Sequence, residues 1–184
     1  MKISVAASMI ALSLAALPIG CGPDSSLPPA EQVKILKDEV ATTIELCRKK
    51  FPEQSKQFDK AHGYAVYPSI GKGGLIVGGF SGKGLVYERG SLVARSNAGG
   101  GTIGAQIGGQ SFSEVIFFED KAAFDRFKRG ETAFQAGGSA TAGNASASAA
   151  NNYKDGVMVL TFDGGGLMLE GVIGGQTFSF DPVE

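Results

Sequence analysis

Residues 64–87 read YAVYPSIGKGGLIVGGFSGKGLVY, in which short runs of β-branched and aromatic residues alternate with glycines. Such runs are typical of β-strands joined by tight turns. They predict strands at Tyr64–Tyr67, Leu75–Val77 and Leu85–Tyr87, and similar runs follow at 103–107 and 112–118. Glycine supplies 28 of the 184 residues, about twice its usual share of roughly 7 per cent. These glycines must therefore allow sharp bends or a close approach of backbones.

An amphipathic helix is predicted ahead of the strands. Pro29 stands where a first helical turn tolerates proline, and Pro52 ends the pattern. Apolar residues recur between them at three- and four-residue steps, at Val33, Leu36, Val40, Ile44, Cys47 and Phe51. This stripe either lies on lipid or packs on the protein's own domain, and its narrowness favours packing.

A second, short helix is predicted to interrupt the strands at residues 120–129. Asp120 is a suitable N-cap, Lys128 and Arg129 occupy the last turn, and Gly130 follows. The segment 137–152 consists of small uncharged residues, and its middle is expected to be a loop.

A seven-residue motif occurs twice, as IGGQSFS at 107–113 and IGGQTFS at 173–179, each copy after a predicted three-glycine turn. Two equivalent hairpins with matched glutamines, Gln110 and Gln176, are the simplest explanation. The predicted fold class is therefore α+β, with an N-terminal amphipathic helix and a glycine-rich, twisted antiparallel sheet of roughly six to nine strands. The sheet is expected to be open or closed into a barrel.

The N-terminus has the order of an export signal. Lys2 precedes an apolar run, Ile3–Leu17, that is shorter than the roughly 20 residues of a membrane-spanning helix. We predict a signal peptide at 1–20, a lipidated tether at 21–28 and one domain at 29–184.

Cys21 is the expected lipid-modified residue of an exported lipoprotein. Pro18 stands where such signals usually carry leucine, so a soluble periplasmic or secreted protein is the alternative. Gly22 favours the outer membrane, with the domain facing the periplasm. Cys47 then has no partner cysteine and is expected to be a small buried apolar residue.

Catalytic and metal-binding patterns are missing from the sequence. His62 is the single histidine, without a Gly-x-Ser-x-Gly elbow, and the Cys/His spacing suits no metal. Two carboxylates, Glu114 and Glu170, fall among apolar residues, where one could pair with an arginine. The formal net charge of −1 does not favour nucleic acid. We therefore expect a protein that is not an enzyme and needs no cofactor.

Basic residues are concentrated between residues 60 and 95, which suggests one locally positive side. Two segments there, Ile70–Gly74 and Ser81–Gly84, place a lysine among glycines. They are either turns that hold one phosphate or lipid headgroup, or ordinary hairpin turns with solvated lysines. The candidate headgroup contacts are Lys72, Lys83, Arg89 and Arg95.

Several glycine-aromatic motifs occur in an order that resembles SYLF-domain proteins, from about residue 33 to the C-terminus. They are FDKAHGYAVYPSIGKGG at 58–74, GKGLVY at 82–87, GGQ at 108–110, FF at 117–118, KDGVMVLTF at 154–162 and GGLMLEG at 165–171. The resemblance implies a non-enzymatic lipid-binding domain. In eukaryotic members the ligands are phosphoinositides, and yeast members also contact actin.

The bacterial members of that family are typically short exported proteins, in whose envelope phosphoinositides and actin are not expected. The expected partner is therefore an anionic phospholipid surface, with Cys21 as anchor. The alternative is a structural or scaffolding lipoprotein that binds envelope proteins and uses lipid only through its acyl chains.

Overall fold

The computed structural model describes residues 27–74, 77–103, 110–131, 153–163 and 176–183. The predicted signal peptide, Cys21, the segment 137–152 and Glu170 lie outside these ranges. The helices and strands, in chain order, are α1 Pro29–Lys50, α2 Pro52–Ser55, α3 Gln57–Lys60, β1 Gly63–Gly74, β2 Val77–Glu88, β3 Ser91–Ile103, β4 Gln110–Phe118, α4 Lys121–Lys128, β5 Val157–Phe162, β6 Gln176–Phe178 and β7 Asp181–Pro182.

The strands form one antiparallel sheet, which confirms the α+β prediction. Its order is β5-β4-β1-β2-β3-β6, and β7 also pairs with β3. In the part of the chain that the structure describes, β5 and β6 do not pair with each other. The sheet is thus a curled half-barrel. Of the two forms expected from the sequence, an open sheet and a closed barrel, the structure has the open one.

The curl brings distant strands together. The rings of Tyr67 on β1 and Phe178 on β6 lie 5.6 Å apart, although β2 and β3 separate these strands in the sheet. Three strand spacings of about 4.8 Å would place them roughly 14 Å apart in a flat sheet. Gly84 makes room for the curl, since a Cβ there would lie 2.5 Å from Tyr67 Cδ1 and from the Val66 carbonyl oxygen.

Both faces of the sheet are buried. The concave side, here called the inner face, packs Tyr67, Phe118 and the α4 residues Phe124 and Phe127. The convex side, here called the helix face, lies under α1. Leu36, Val40 and Cys47 of α1 are buried there, together with Phe51, which follows the helix. The amphipathic stripe of α1 therefore packs on its own sheet, as its narrowness predicted.

Several glycines that were predicted to form turns lie inside long strands. Gly71–Gly74 belong to β1, Gly82 and Gly84 to β2, and Gly99–Gly101 to β3. Strand β2 runs without a break from Val77 to Glu88, where the sequence predicted separate strands. The prediction of two lysine-bearing turns and of three-glycine turns before each repeat was wrong where these residues are described.

The predictions for the short helix are confirmed. Asp120 Oδ1 accepts a hydrogen bond from the Ala123 backbone N–H at 2.8 Å, which caps α4. Gly130 follows the helix with φ +68°, a left-handed conformation that favours glycine. The short helices α2 and α3, between α1 and β1, were not predicted.

Candidate functional site

Lys83 and Arg95 lie side by side on the helix face. Arg95 pairs with Leu85, a residue of the helix-face core, and Lys83 is two residues from Leu85 on the same strand. Alternate residues of a strand share a face, so both cations project to the side of α1. Diagonal neighbours of this kind are about 7–8 Å apart. Both side chains are exposed, and neither forms an ion pair with another residue of the described ranges.

The other two candidate contacts lie elsewhere. Lys72 pairs with Phe80, a residue of the inner core, and is half-buried on the inner face. Arg89 is exposed in the turn after β2, six residues beyond Lys83, or about 20 Å along a strand. The four predicted contacts therefore do not form one site, and the structure brings only Lys83 and Arg95 together.

Lys72 and Lys83 lie in paired strands and not in turns that could hold a phosphate by their backbone N–H groups. The backbones of Lys72 and Lys83 each pair with two neighbouring strands. Gly82 is needed there for packing, because a Cβ would lie 2.7 Å from both Ile70 Cγ1 and the Ser69 carbonyl oxygen. Only the side chains of these lysines are left to meet a ligand.

A cleft of about 440 Å³ separates α1 from β1 beside Lys83. Residues Ile35, Asp38, Glu39, Thr42 and Thr43 of α1 form one wall, and Pro68 and Ser69 of β1 form the other. The β1 wall is a β-bulge, at which the pairing register with both neighbouring strands shifts. Ser69 pairs with Lys83, so the cleft and the two cations adjoin.

Polar groups are also buried within the curl. Gln176 Nε2 donates a hydrogen bond to Glu114 Oε2 at 3.2 Å, although their strands, β6 and β4, are four positions apart in the sheet. Burial raises the pKa of Glu114 to about 7, and hydrogen bonds from Gln176 and Thr161 partly oppose that rise. The described partners of Glu114 are therefore Gln176, from the repeated motif, and Thr161, and not Arg89 or Arg95; Glu170 lies outside the described residues.

Tyr67 supplies a second polar contact inside the curl. Ser96 Oγ donates to the Ser179 carbonyl oxygen at 2.6 Å and accepts from the Tyr67 hydroxyl at 2.7 Å. The sequence did not indicate these contacts, because they join residues 29 and 83 positions apart. They tie the last strands of the chain to the middle of the sheet.

His62 is engaged in packing and hydrogen bonding. Its Nε2 lies 2.9 Å from Glu88 Oε1, and its ring lies 5.8 Å from that of Phe124. Within the residues that the structure covers, no three His, Cys, Asp or Glu side chains are grouped as metal ligands.

Cys47 is fully buried and unpaired in α1, as predicted, and burial raises the pKa of its thiol to about 12. None of the helices in the described ranges is long and apolar enough to cross a bilayer.

Comparison with known proteins gives one similarity and one negative result. No protein-family model matches the chain. The chain is similar to Beta cell expansion factor A of Aeromonas veronii, with 34% identity over 134 residues, which cover 71% of this chain and 50% of that protein. The chain thus spans about half the length of this curated relative.

Proposed function

We propose that this protein is a non-enzymatic, SYLF-like lipid-binding domain that contacts anionic phospholipid surfaces through Lys83 and Arg95. The observation that carries the proposal is the pair itself: two exposed cations, adjacent on the helix face and without an ion pair to a described acid, although Asp181 on β7 is the cross-strand neighbour of Arg95. Basic side chains near an anionic bilayer contribute about 1 kcal/mol each. Two of them amount to roughly a thirtyfold change in affinity.

Two further observations support the family assignment. The ordered glycine-aromatic motifs resemble SYLF-domain proteins, and the α+β fold agrees with the expectation drawn from them. The similarity to Beta cell expansion factor A covers most of the chain. We further propose export with lipidation at Cys21, which holds the domain at the periplasmic side of a membrane, most naturally the outer one.

The site can be tested by vesicle flotation of the chain carrying Cys21→Ser, so that no acyl anchor contributes. We expect recovery with phosphatidylglycerol vesicles to exceed recovery with neutral vesicles. For Lys83→Gln/Arg95→Gln we expect the affinity for phosphatidylglycerol vesicles to fall roughly thirtyfold. Added salt should weaken the parent more steeply than this variant, because screening acts on the charges that were removed.

Lys128→Gln/Arg129→Gln is the charge-matched control. These cations lie on α4, across the sheet from the helix face, where Arg129 Nε is 2.7 Å from Glu131 Oε1 and Lys128 Nζ is 3.8 Å from Asp125 Oδ1. Equal losses in the two double variants would assign the effect to net charge and refute the site. Equal recovery of the parent with anionic and neutral vesicles would instead favour a scaffolding lipoprotein that binds lipid only through its acyl chains.

A further inference from the structure

The cleft beside Lys83 carries charges of both signs. Asp38 and Glu39 lie three and four residues after Ile35, and Thr42 lies four and three residues after them, so all four share the helix face that lines the cleft. The Thr42 and Thr43 hydroxyls donate to the Asp38 and Glu39 carbonyl oxygens at 2.9 and 2.8 Å. Both carboxylates are exposed and form no ion pair with another described residue.

The cations lie next to the β1 wall of the cleft, on the neighbouring strands β2 and β3, and are not among its lining residues. Lys83 is the cross-strand partner of Ser69, a wall residue, and such partners lie about 5 Å apart. Arg95 is the next cation along the helix face. The acids of the helix wall and the cations beside the sheet wall therefore flank the cleft without a direct ion pair.

A ligand that carries charge of only one sign does not suit this arrangement. A purely anionic headgroup held by Lys83 would be repelled by Asp38 and Glu39, since like charges at short range disfavour each other. A group with a phosphate at one end and an ammonium at the other satisfies both walls. The volume, about 440 Å³, lies in the usual range of roughly 300–1,000 Å³ for small-molecule sites.

The lining also distinguishes between ammonium types. Quaternary ammonium groups such as choline are typically held by aromatic rings, and among the residues that the structure describes no aromatic side chain lines the cleft. A primary ammonium has three N–H donors, which carboxylates and the hydroxyl groups of Thr42 and Ser69 can accept. The chemistry therefore favours ethanolamine over choline.

We propose that the cleft between α1 and the β1 bulge binds the headgroup of an ethanolamine phospholipid, with its phosphate at Lys83 and Arg95 and its ammonium at Asp38 and Glu39. The inference rests on the proposed lipid binding and names the headgroup that the same site selects. Under this proposal the two acids of α1 determine which phospholipid headgroup of a mixed membrane surface the protein binds.

The test compares two vesicle types that share one phosphatidylglycerol fraction and are completed with either phosphatidylethanolamine or phosphatidylcholine. The chain carrying Cys21→Ser should bind the ethanolamine vesicles roughly ten- to a hundredfold more tightly, the effect of one additional charge-assisted hydrogen bond. Asp38→Asn/Glu39→Gln should remove this preference and leave binding to the phosphatidylcholine mixture equal or tighter.

Glu31→Gln/Glu45→Gln is the matched control, because it removes the same charge from exposed positions of α1 outside the cleft. It should keep the preference. Because the two neutral lipids also pack differently in vesicles, soluble glycerophosphoethanolamine and glycerophosphocholine serve as competitors, and only the former should displace the protein.

The outcomes separate the two proposals. Binding to anionic vesicles without a preference for ethanolamine, or a preference that survives Asp38→Asn/Glu39→Gln, overturns the headgroup assignment and leaves lipid binding intact. A preference lost equally in the control variant also overturns it, since net charge would then explain the result. No binding to either vesicle type refutes lipid binding itself.

Discussion

At the scale of single residues, the carboxyl group of Glu114 is expected to make stability depend on pH. It is 1% exposed, and burial raises its pKa from 4.5 to about 7. The folded chain therefore holds a proton that the unfolded chain releases near pH 4.5, so this contribution to stability is complete below pH 4.5 and is lost as pH rises to about 7. The free energy of unfolding should fall by about 3 kcal/mol across this window.

Urea unfolding at a series of pH values measures this effect. Glu114→Gln keeps the size of the side chain and cannot titrate. Between pH 4.5 and 7 its free energy of unfolding should therefore fall by about 3 kcal/mol less than that of the parent. An identical pH profile for the two proteins would show that this carboxyl group does not titrate in the window.

At the scale of the secondary-structure elements, the glycines of β2 set how closely this strand approaches β1. A methyl group at Gly84 would meet the Val66 carbonyl oxygen, a backbone atom that cannot move aside, as well as the Tyr67 ring. Gly84→Ala should therefore lower the free energy of unfolding by about 1–3 kcal/mol, as overpacking typically does. Denaturant unfolding monitored by circular dichroism provides the measurement.

Gly73→Ala is the comparison for this strand pair, because no atom lies within 4 Å of its added Cβ. Gly73→Ala should change the free energy of unfolding by no more than about 0.5 kcal/mol. An equal loss of stability in both variants would show that the close approach at Gly84 is not the cause, because Gly73 has no such contact.

Local signals made the helices predictable. The bounds of α1 follow from Pro29 and Pro52, and those of α4 from Asp120 and Gly130, and each of these acts on its own neighbours in sequence. The glycines misled the strand predictions because the same residue permits a turn or a close contact between strands. Which of the two occurs at Gly84 depends on Tyr67, which is 17 positions away and on another strand.

The site was only partly predictable for a related reason. Lys72 and Lys83 occupy similar glycine-lysine segments, yet they project to opposite faces of the sheet. The β1 bulge between Tyr67 and Ile70 inserts a residue and reverses the alternation of side chains after it. Without that shift Lys72 would lie on the helix face, and nothing in the local sequence marks the bulge except Pro68.

At the scale of the whole molecule, overall charge is a poor guide to the surface. The formal net charge is −1, yet two unpaired cations stand together on the helix face. The association predicted above therefore depends on where charges lie and not on their sum, and its salt dependence should reflect two charges rather than all 17 basic residues.

The last strands of the chain, β6 and β7, cover part of one edge of β3. Strand β3 is 13 residues long, and beyond β2 its other side is covered by β6 at residues 98–100 and by β7 at residues 94 and 95. A long uncovered strand edge is a template for pairing with another chain. A chain that ends before Gln176 should thus aggregate, measured as increased light scattering relative to the full chain at equal concentration.

Phe178→Ala separates this effect from simple loss of stability, because it removes a core ring and leaves the backbone that covers β3 in place. If Phe178→Ala aggregates as strongly as the shortened chain, destabilisation is the cause. If it does not, the short strands β6 and β7 prevent other copies of the chain from pairing with the edge of β3. Such protection matters most for a protein that is concentrated on a surface.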